Sequence, residues 1–287
     1  MRGIDLHIHS TRSDGTTSPA ETVALAAAQR VGGIALTDHD TMAGWDEAAQ
    51  ACADHGLRFV PGVELSTELG GLSVHLLGYF VDLEYHPLVV ECDRLRNERL
   101  RRAEAMVAKL AVMGVEITFA DVLARAGTAP VGRPHIAAAM VAAGVVEDLD
   151  AAFVGFLEDG GPAYVTKHAL SPSDGVALIR DAGGVAVLAH PGLSTRDAPV
   201  DLALLDQLVA EGLRGVEADH AAHDEATRNF WRSAARARTL YITGASDFHG
   251  TRKESVIGAA VTPAPVVDAL EELSGAPVAA GNKEAPW

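Results

Sequence analysis

The feature that most constrains this 287-residue chain is an alternation of short apolar strands with alanine-rich helical stretches, interrupted once near the middle. Apolar runs predict strands at 4–9, 33–37, 58–63 and 74–80, and again at 184–189, 215–218, 240–244 and 257–262. Helical patterns fall between them at 19–31, 41–55, 173–181, 200–211 and 223–237. Ser18-Pro19-Ala20-Glu21 offers an N-cap, a proline for the first helical position and a carboxylate at the positive helix end. Strands that take turns with helices point to an α/β chain with parallel β/α architecture. From 88 to 158 the alternation stops and the pattern is wholly helical, with Arg94, Arg96, Arg99, Arg101 and Arg102 along one segment. That stretch reads as an inserted helical subdomain in a barrel made of 1–87 and 159–275, followed by a tail at 276–287. The arginines read as a solvated face paired with Glu91, Glu98 and Glu104.

Hydrophobic residues make up 48% of the chain, enough to bury a large core. The formal charge of −16 argues against wrapping duplex DNA, because that affinity comes from Lys and Arg neutralising phosphates. An anionic substrate would need local positive charge, which bound metal can supply. Cys52 and Cys92 stand apart with no C-x-x-C spacing and read as reduced structural thiols. Met1 leads directly into a strand without a basic and apolar leader, and no apolar run is long enough for a membrane span. The expectation is a cytoplasmic protein without a membrane partner.

Chemistry-bearing residues recur where the pattern places strand ends. His7-Ile8-His9 lies in a strand, where a period of two puts both imidazoles on one face and Leu6 and Ile8 on the other. Asp14 follows that strand, His39 follows the next, and Glu64 ends Pro61-Gly62-Val63-Glu64. His75, His190, Asp247 and His249 complete the series. In α/β barrels such groups gather at the C-terminal ends of the strands. Nine imidazoles and carboxylates without a thiolate suit Mn, Fe or Zn. Asp38 and Asp40 flank His39 and read as outer supports or helix caps rather than ligands. His55, His86 and His168 read as ordinary surface or core histidines.

Through His7-x-His9, Thr37-Asp38-His39, Gly62-Val63-Glu64, Ala189-His190-Pro191 and Ser246-Asp247-x-His249, the chain resembles the PHP (polymerase and histidinol phosphatase) family. The likeness runs through most of the chain outside the helical insertion. It implies a distorted (β/α)7-type barrel and a cluster of two or three divalent ions, with manganese first and iron or zinc as alternatives. One ion would be held by His7, His9, Glu64 and Asp247, a second by Glu64, His75 and His190, and a third by Asp14, His39 and His249. Asp14 stands where many family members have histidine, which keeps a ligand but makes that site more anionic.

Two ions about 4 Å apart can activate a shared hydroxide, hold a phosphoryl group for in-line attack and stabilise the departing oxygen. Phosphate-ester hydrolysis follows, with Glu64, Asp247 and His190 as the catalytic groups. A short barrel with a mid-chain helical insertion resembles the branch that hydrolyses nucleoside 3′,5′-bisphosphates and, in some members, trims short RNA from the 5′ end. Substrate contacts are expected from Arg133 and His135 at a helix start, and from Lys167, His220 and His223 at strand ends. Three alternatives stay open: another phosphomonoesterase such as a histidinol phosphatase, a binuclear amidohydrolase bridged by a carboxylated Lys167, and a non-catalytic PHP-type module.

Overall fold

The computed structural model describes residues 2–127, 131–166, 169–193 and 200–275. Seven strands form one sheet in chain order: β1 (Ile4–Asp5), β2 (Gly33–Leu36), β3 (Arg58–Leu69), β4 (Leu72–Tyr79), β5 (Val185–Leu188), β6 (Gly215–His220) and β7 (Tyr241–Ala245). Isolated bridges from Ile8 to Phe248 and from Ile4 to Thr262 join the first strand to the chain around the last, curling the sheet into a nearly closed barrel. The α/β barrel expected from the alternation is the fold observed.

The expectation of a parallel sheet needs one correction. β1–β2–β3 and β5–β6–β7 are parallel, but β4 runs antiparallel to both β3 and β5. The cause is local: Gly70 and Gly71, at φ +58° and +90°, form a two-residue turn that folds β4 straight back along β3. The segment 257–262 is a second correction, since only Thr262 bridges. Gly258, at φ +84°, bends the chain there and donates its N–H to Asp5 Oδ2 at 2.8 Å. The first strand also ends early. Ile8 N donates to the Thr37 hydroxyl at 3.1 Å, and Leu6 and Ile8 enter different apolar clusters instead of sharing a face.

Strand alternation sorts the remaining core. Ala35, Leu77, Val185 and Val187 pack inside the barrel with Ile4, Leu6 and Tyr79. Ile34, Leu36, Leu76 and Leu188 face outward under α1 (Pro19–Ala28), α2 (Trp45–His55), and the later helices α7 (Pro172–Asp181), α8 (Leu202–Glu211) and α9 (Glu225–Arg236). These helices begin where a side chain can accept an orphan N–H: Ser18, Ser171, Asp201 and Asp224 cap α1, α7, α8 and α9. A final helix, α10 (Ala264–Leu273), brings Val267 and Leu270 into the inner cluster, and its Asp268 and Glu271 pair with Arg58 at the start of β3. It therefore closes the end of the barrel where the parallel strands begin.

Two compact units result, one from 1–92 with 169–287 and one from 93–168. The long α3 (His86–Val112) contributes Leu88 and Cys92 to the barrel unit and Met106 and Leu110 to the helical unit. The helical unit has its own core, shared with α4 (Phe119–Ala126), α5 (Arg133–Ala142) and α6 (Leu149–Ala152). Among the described residues no helix is long and apolar enough to cross a membrane.

Tyr79 ties the barrel across its interior: fully buried on β4, it donates its hydroxyl to the Leu6 carbonyl at 2.8 Å. Tyr79→Phe leaves that carbonyl without its partner, and a loss of about 1–3 kcal/mol is expected in urea unfolding of the purified protein.

Candidate metal centre

Seven chain segments meet at the barrel end opposite α10. His7 and His9 follow β1, Asp14 lies in the next loop and His39 follows β2. Glu64 sits within β3, His190 follows β5, and Asp247 and His249 follow β7. Glu64 is thus mid-strand, and His75 departs furthest from the rule that such residues come from C-terminal strand ends. It lies in the first half of β4, and only because β4 is reversed does that half reach the same end. In the β3–β4 register Glu64 faces Leu77 and Ser66 faces His75, so Glu64 and His75 are diagonal neighbours on the inner face. Asp40, His190 and Asp247 hold positive φ values of +52°, +22° and +52°, strained backbone that the packed loops keep in place.

Glu64 is the hub. Its Oε2 lies 3.2 Å from His7 Nε2, 3.1 Å from His9 Nε2 and 3.1 Å from His39 Nδ1. Its Oε1 lies 2.8 Å from His75 Nδ1 and 3.1 Å from His190 Nε2. Asp247 Oδ1 faces His9 Nε2 at 3.4 Å and His249 Nδ1 at 3.3 Å, and Asp14 Oδ1 faces His9 Nδ1 at 3.4 Å and His249 Nε2 at 3.3 Å. All nine ligand-type residues singled out in the sequence fall into four overlapping groups: His9, Asp14, His39 and His249; His7, Glu64 and His190; His7, His9 and Asp247; and His39, Glu64 and His75. His9 belongs to two of them, one with Asp14 and one with Asp247.

This donor set fits divalent metal on its own geometry. Ligands at about 2.1 Å from a shared ion stand roughly 3.0–3.4 Å apart and point at the ion, not at one another. Most of the separations here fall in that range, and not all of them are hydrogen bonds. His7 Nε2 and His9 Nε2 meet at 3.0 Å, a contact that needs a proton on one ring, whereas His39 Nδ1 is buried with no hydrogen-bond partner despite its 3.1 Å approach to Glu64. Nitrogen and oxygen lone pairs converging on common points in a buried pocket call for cations.

Proton affinities show the same strain. Burial opposes a charge on His7, but Glu217, Glu64 and Asp247 overcome it and hold its pKa well above the usual value. His9 is likewise lifted to about 9, against burial, by Asp247 and Glu64. Burial drives His39 well below the ordinary imidazole value, and burial with the neighbouring His9 lowers His249. Although burial works against its charge, the surrounding imidazoles His39, His7 and His75 hold Glu64 far below the carboxylate range. The pocket therefore favours protons on some rings and rejects them on others.

The family model of the PHP domain matches residues 5–120. A 3′,5′-nucleoside bisphosphate phosphatase from Chromobacterium violaceum is 35% identical over 250 residues, 87% of this chain and 88% of that protein. The chain belongs to the PHP family. A 5′-3′ exoribonuclease from Haemophilus influenzae is 33% identical, over 85% of this chain and 89% of the relative. A solved structure from Bifidobacterium adolescentis, provisionally described as a metal-dependent phosphoesterase, shares 34% identity and a TM-score of 0.80, covering 95% of this chain and 96% of that one. By family, this PHP protein is a metal-dependent phosphoesterase.

Around the PHP cluster lies a layer of carboxylates that sequence reasoning largely missed. Glu217, fully buried on β6, accepts from His7 Nδ1 at 3.0 Å and from the His190 backbone N–H at 2.8 Å, which turns His7 Nε2 inward. The available signal was an acid inside the apolar run Gly215-Val216-Glu217-Ala218. Asp5 accepts from Ser246 N and Gly258 N, joining the first and last strand regions, and burial lifts its pKa to about 6. Asp38 accepts from Ser10 and Ser13, and Asp40 accepts from Ser66; neither caps α2, whose N-cap is Gly44. Lys253 reaches Asp247 Oδ2 at 2.5 Å.

The substrate candidates fare unevenly. Arg133 donates to the Leu157 carbonyl and to Asp159 and lies over the Phe153 and Tyr164 rings, all within the helical unit. His135 Nδ1 accepts from Gly132 N in a capping box. Lys167 lies outside the described residues. His223 donates Nδ1–H to the Ala218 carbonyl and accepts from Gly192 N at Nε2, so both nitrogens brace the turn after His190. Within the barrel unit His220 reaches the cluster, 3.4 Å from Asp247 Oδ2.

His9 yields a pH prediction. With a folded pKa of about 9 against 6.5 in the open chain, its contribution to the metal-free protein is complete below about pH 6.5 and is lost as pH rises through 9. Chelator-treated protein is expected to lose roughly 2 kcal/mol between pH 6.5 and 9 in denaturant titrations. A flat profile over that interval would contradict the coupling.

Proposed function

We propose that this PHP enzyme hydrolyses a phosphate ester of a small nucleotide, either a nucleoside 3′,5′-bisphosphate or a short 5′-phosphorylated oligonucleotide. The observation that carries the chemistry is the convergence of five imidazole nitrogens on the two oxygens of buried Glu64. His7, His9, Asp14, His39, Glu64, His75, His190, Asp247 and His249 would hold up to three divalent ions, and the hard-to-borderline donors favour manganese. Such ions supply Lewis acidity toward phosphoryl oxygens and lower the pKa of bound water.

The chain's own residues would set that chemistry in place. Glu64 stands where it can touch two groups of ligands at once, and His190 is fixed from behind by Glu217 through its backbone N–H. Asp247 presents Oδ1 to His9 and His249 while Lys253 holds its other oxygen. Ser13 Oγ touches the cluster, 3.5 Å from His9 Nδ1, but its hydroxyl is committed to Asp38 Oδ1 at 2.5 Å, so attack by water is the reading the described residues support.

The nucleotide preference rests on the relatives' activities together with their coverage of nearly the whole chain. A binuclear amidohydrolase would need a carboxylated lysine as its bridge. The central position here is filled by Glu64, which leaves that bridge without a task. A non-catalytic module is disfavoured because all nine ligand-type residues remain together.

The deciding experiment is phosphate release by Mn²⁺-loaded protein on a nucleoside 3′,5′-bisphosphate, a nucleoside monophosphate, histidinol phosphate and a short 5′-phosphorylated RNA. The bisphosphate or RNA is expected to turn over fastest, chelation to abolish release, and Asp247→Ala to lower kcat by at least about 10³-fold. Faster turnover of histidinol phosphate would sink the nucleotide assignment and leave the phosphoesterase intact. No release from any of the four would return weight to an amidohydrolase.

A further inference from the structure

His220 is 2% exposed, and its Nε2 is one of a few buried side-chain atoms among the described residues with no hydrogen-bond partner. Its other nitrogen is engaged: the Ala222 backbone N–H donates to His220 Nδ1 at 3.1 Å. A ring nitrogen that accepts carries no proton, so the proton of the neutral ring sits on Nε2. That atom is thus an N–H donor and has no lone pair to offer a metal.

The acceptor nearest that N–H is Asp247 Oδ2, which stands at 3.4 Å, just outside hydrogen-bond geometry in this conformation. Asp247 has two unlike oxygens: Oδ1 faces His7, His9 and His249 at 3.6, 3.4 and 3.3 Å. Oδ2 faces the other way, toward Lys253 Nζ at 2.5 Å and His220 Nε2 at 3.4 Å. Lys253 is half exposed and shares its charge with solvent, whereas His220 is locked between the rings of His190 and His223, with centroids 5.6 and 5.3 Å away.

The backbone is built to aim it. In a regular strand, Glu217 and His220, three residues apart, would point to opposite faces. The β6–β7 ladder slips between Val216 and Asp219, so both turn toward the cluster while Val216 and Ala218 pack in the outer core and Asp219 pairs with Arg232 on α9. Bulges recur beside functional sites for this reason.

We propose that His220 is a positioning residue: a neutral imidazole fixed as its Nε2–H tautomer, which donates to Asp247 Oδ2 and keeps that carboxylate monodentate, with only Oδ1 turned to the metal cluster. The assignment rests on the metal centre of the preceding section. It separates His220 from the nine ligands and from the substrate contacts, and it makes β6 the source of two outer supports, Glu217 for His7 and His220 for Asp247.

Two substitutions divide the roles of the ring. His220→Asn can keep an acceptor near Nδ1 but has no donor at Nε2, whereas His220→Gln places an amide N–H near Nε2. Long-range ¹H–¹⁵N spectra of the metal-free protein are expected to show the Nε2–H tautomer. In Mn²⁺ titrations His220→Asn is expected to bind about 10–100-fold more weakly than wild type, with kcat reduced and KM for the substrate within about twofold. His220→Gln is expected to recover most of the affinity. The Nδ1–H tautomer, unaltered Mn²⁺ binding in His220→Asn, or equal losses in both variants accompanied by equal losses of thermal stability would each overturn the proposal. Wild-type protein that binds no Mn²⁺ would instead remove the metal centre itself, and the positioning role with it.

Discussion

A carboxylate buried to 1% exposure, with five imidazole nitrogens around it, is the constraint on which this barrel's active end depends. Isolated, such a charge would be prohibitively costly to bury, and only a dense set of cationic or metal partners offsets that cost. The partners come from four segments, His7 and His9 sharing the one after β1, so the sheet must bring β1, β2, β4 and β5 to the same point. The nearly closed barrel does this with short loops. The reversed β4 is the one departure from parallel order, and it places His75 beside Glu64 on an adjacent strand instead of at the end of a helix-linked crossover.

The cluster in turn needs an outer layer, because imidazoles and carboxylates packed this closely would otherwise choose among several rotamers and protonation states. Glu217 sets the His7 ring, and the Asp247 carbonyl accepts from His249 Nδ1 at 2.9 Å, freeing His249 Nε2 for Asp14. Asp38 and Asp40 tie the loop that carries His39 to Ser10, Ser13 and Ser66. These contacts hold strained loop backbones at His190 and Asp247, so stability is committed to precise aim at one end of the molecule.

What was legible in the sequence follows from this division. Strand and helix positions were readable because apolar alternation and capping residues act locally, and the nine ligand-type residues were readable because strand ends in a barrel converge whatever the loops do. His75 was named for the right place on wrong grounds, since the parallel expectation hid the Gly70-Gly71 turn that reverses its strand. Glu217, Asp5 and Lys253 were not seen: their roles depend on partners 210, 241 and 6 residues away, with no spacing rule to mark them. Arg133 looked like an anion site from its helix start alone, but Asp159 and two aromatic rings, distant in sequence, already occupy its guanidinium.

The bulge in β6 shows why outer supports escape a reading by periodicity. Strict alternation from Val216 makes Glu217 and Asp219 inward and His220 outward. The observed strand turns Glu217 and His220 inward and sends Asp219 to Arg232. A one-residue slip thus exchanges which of two polar side chains enters the site, and nothing in Gly215-Val216-Glu217-Ala218-Asp219-His220 announces it. The slip is selected by tertiary fit: His220 inward meets Asp247 Oδ2, and Asp219 outward meets a helix cation. Asp219 inward would instead add a further carboxylate beside Glu217 and Asp247. The cluster of ligand-type residues is therefore written in residue types, and the supports that orient it are written in the barrel's irregularities.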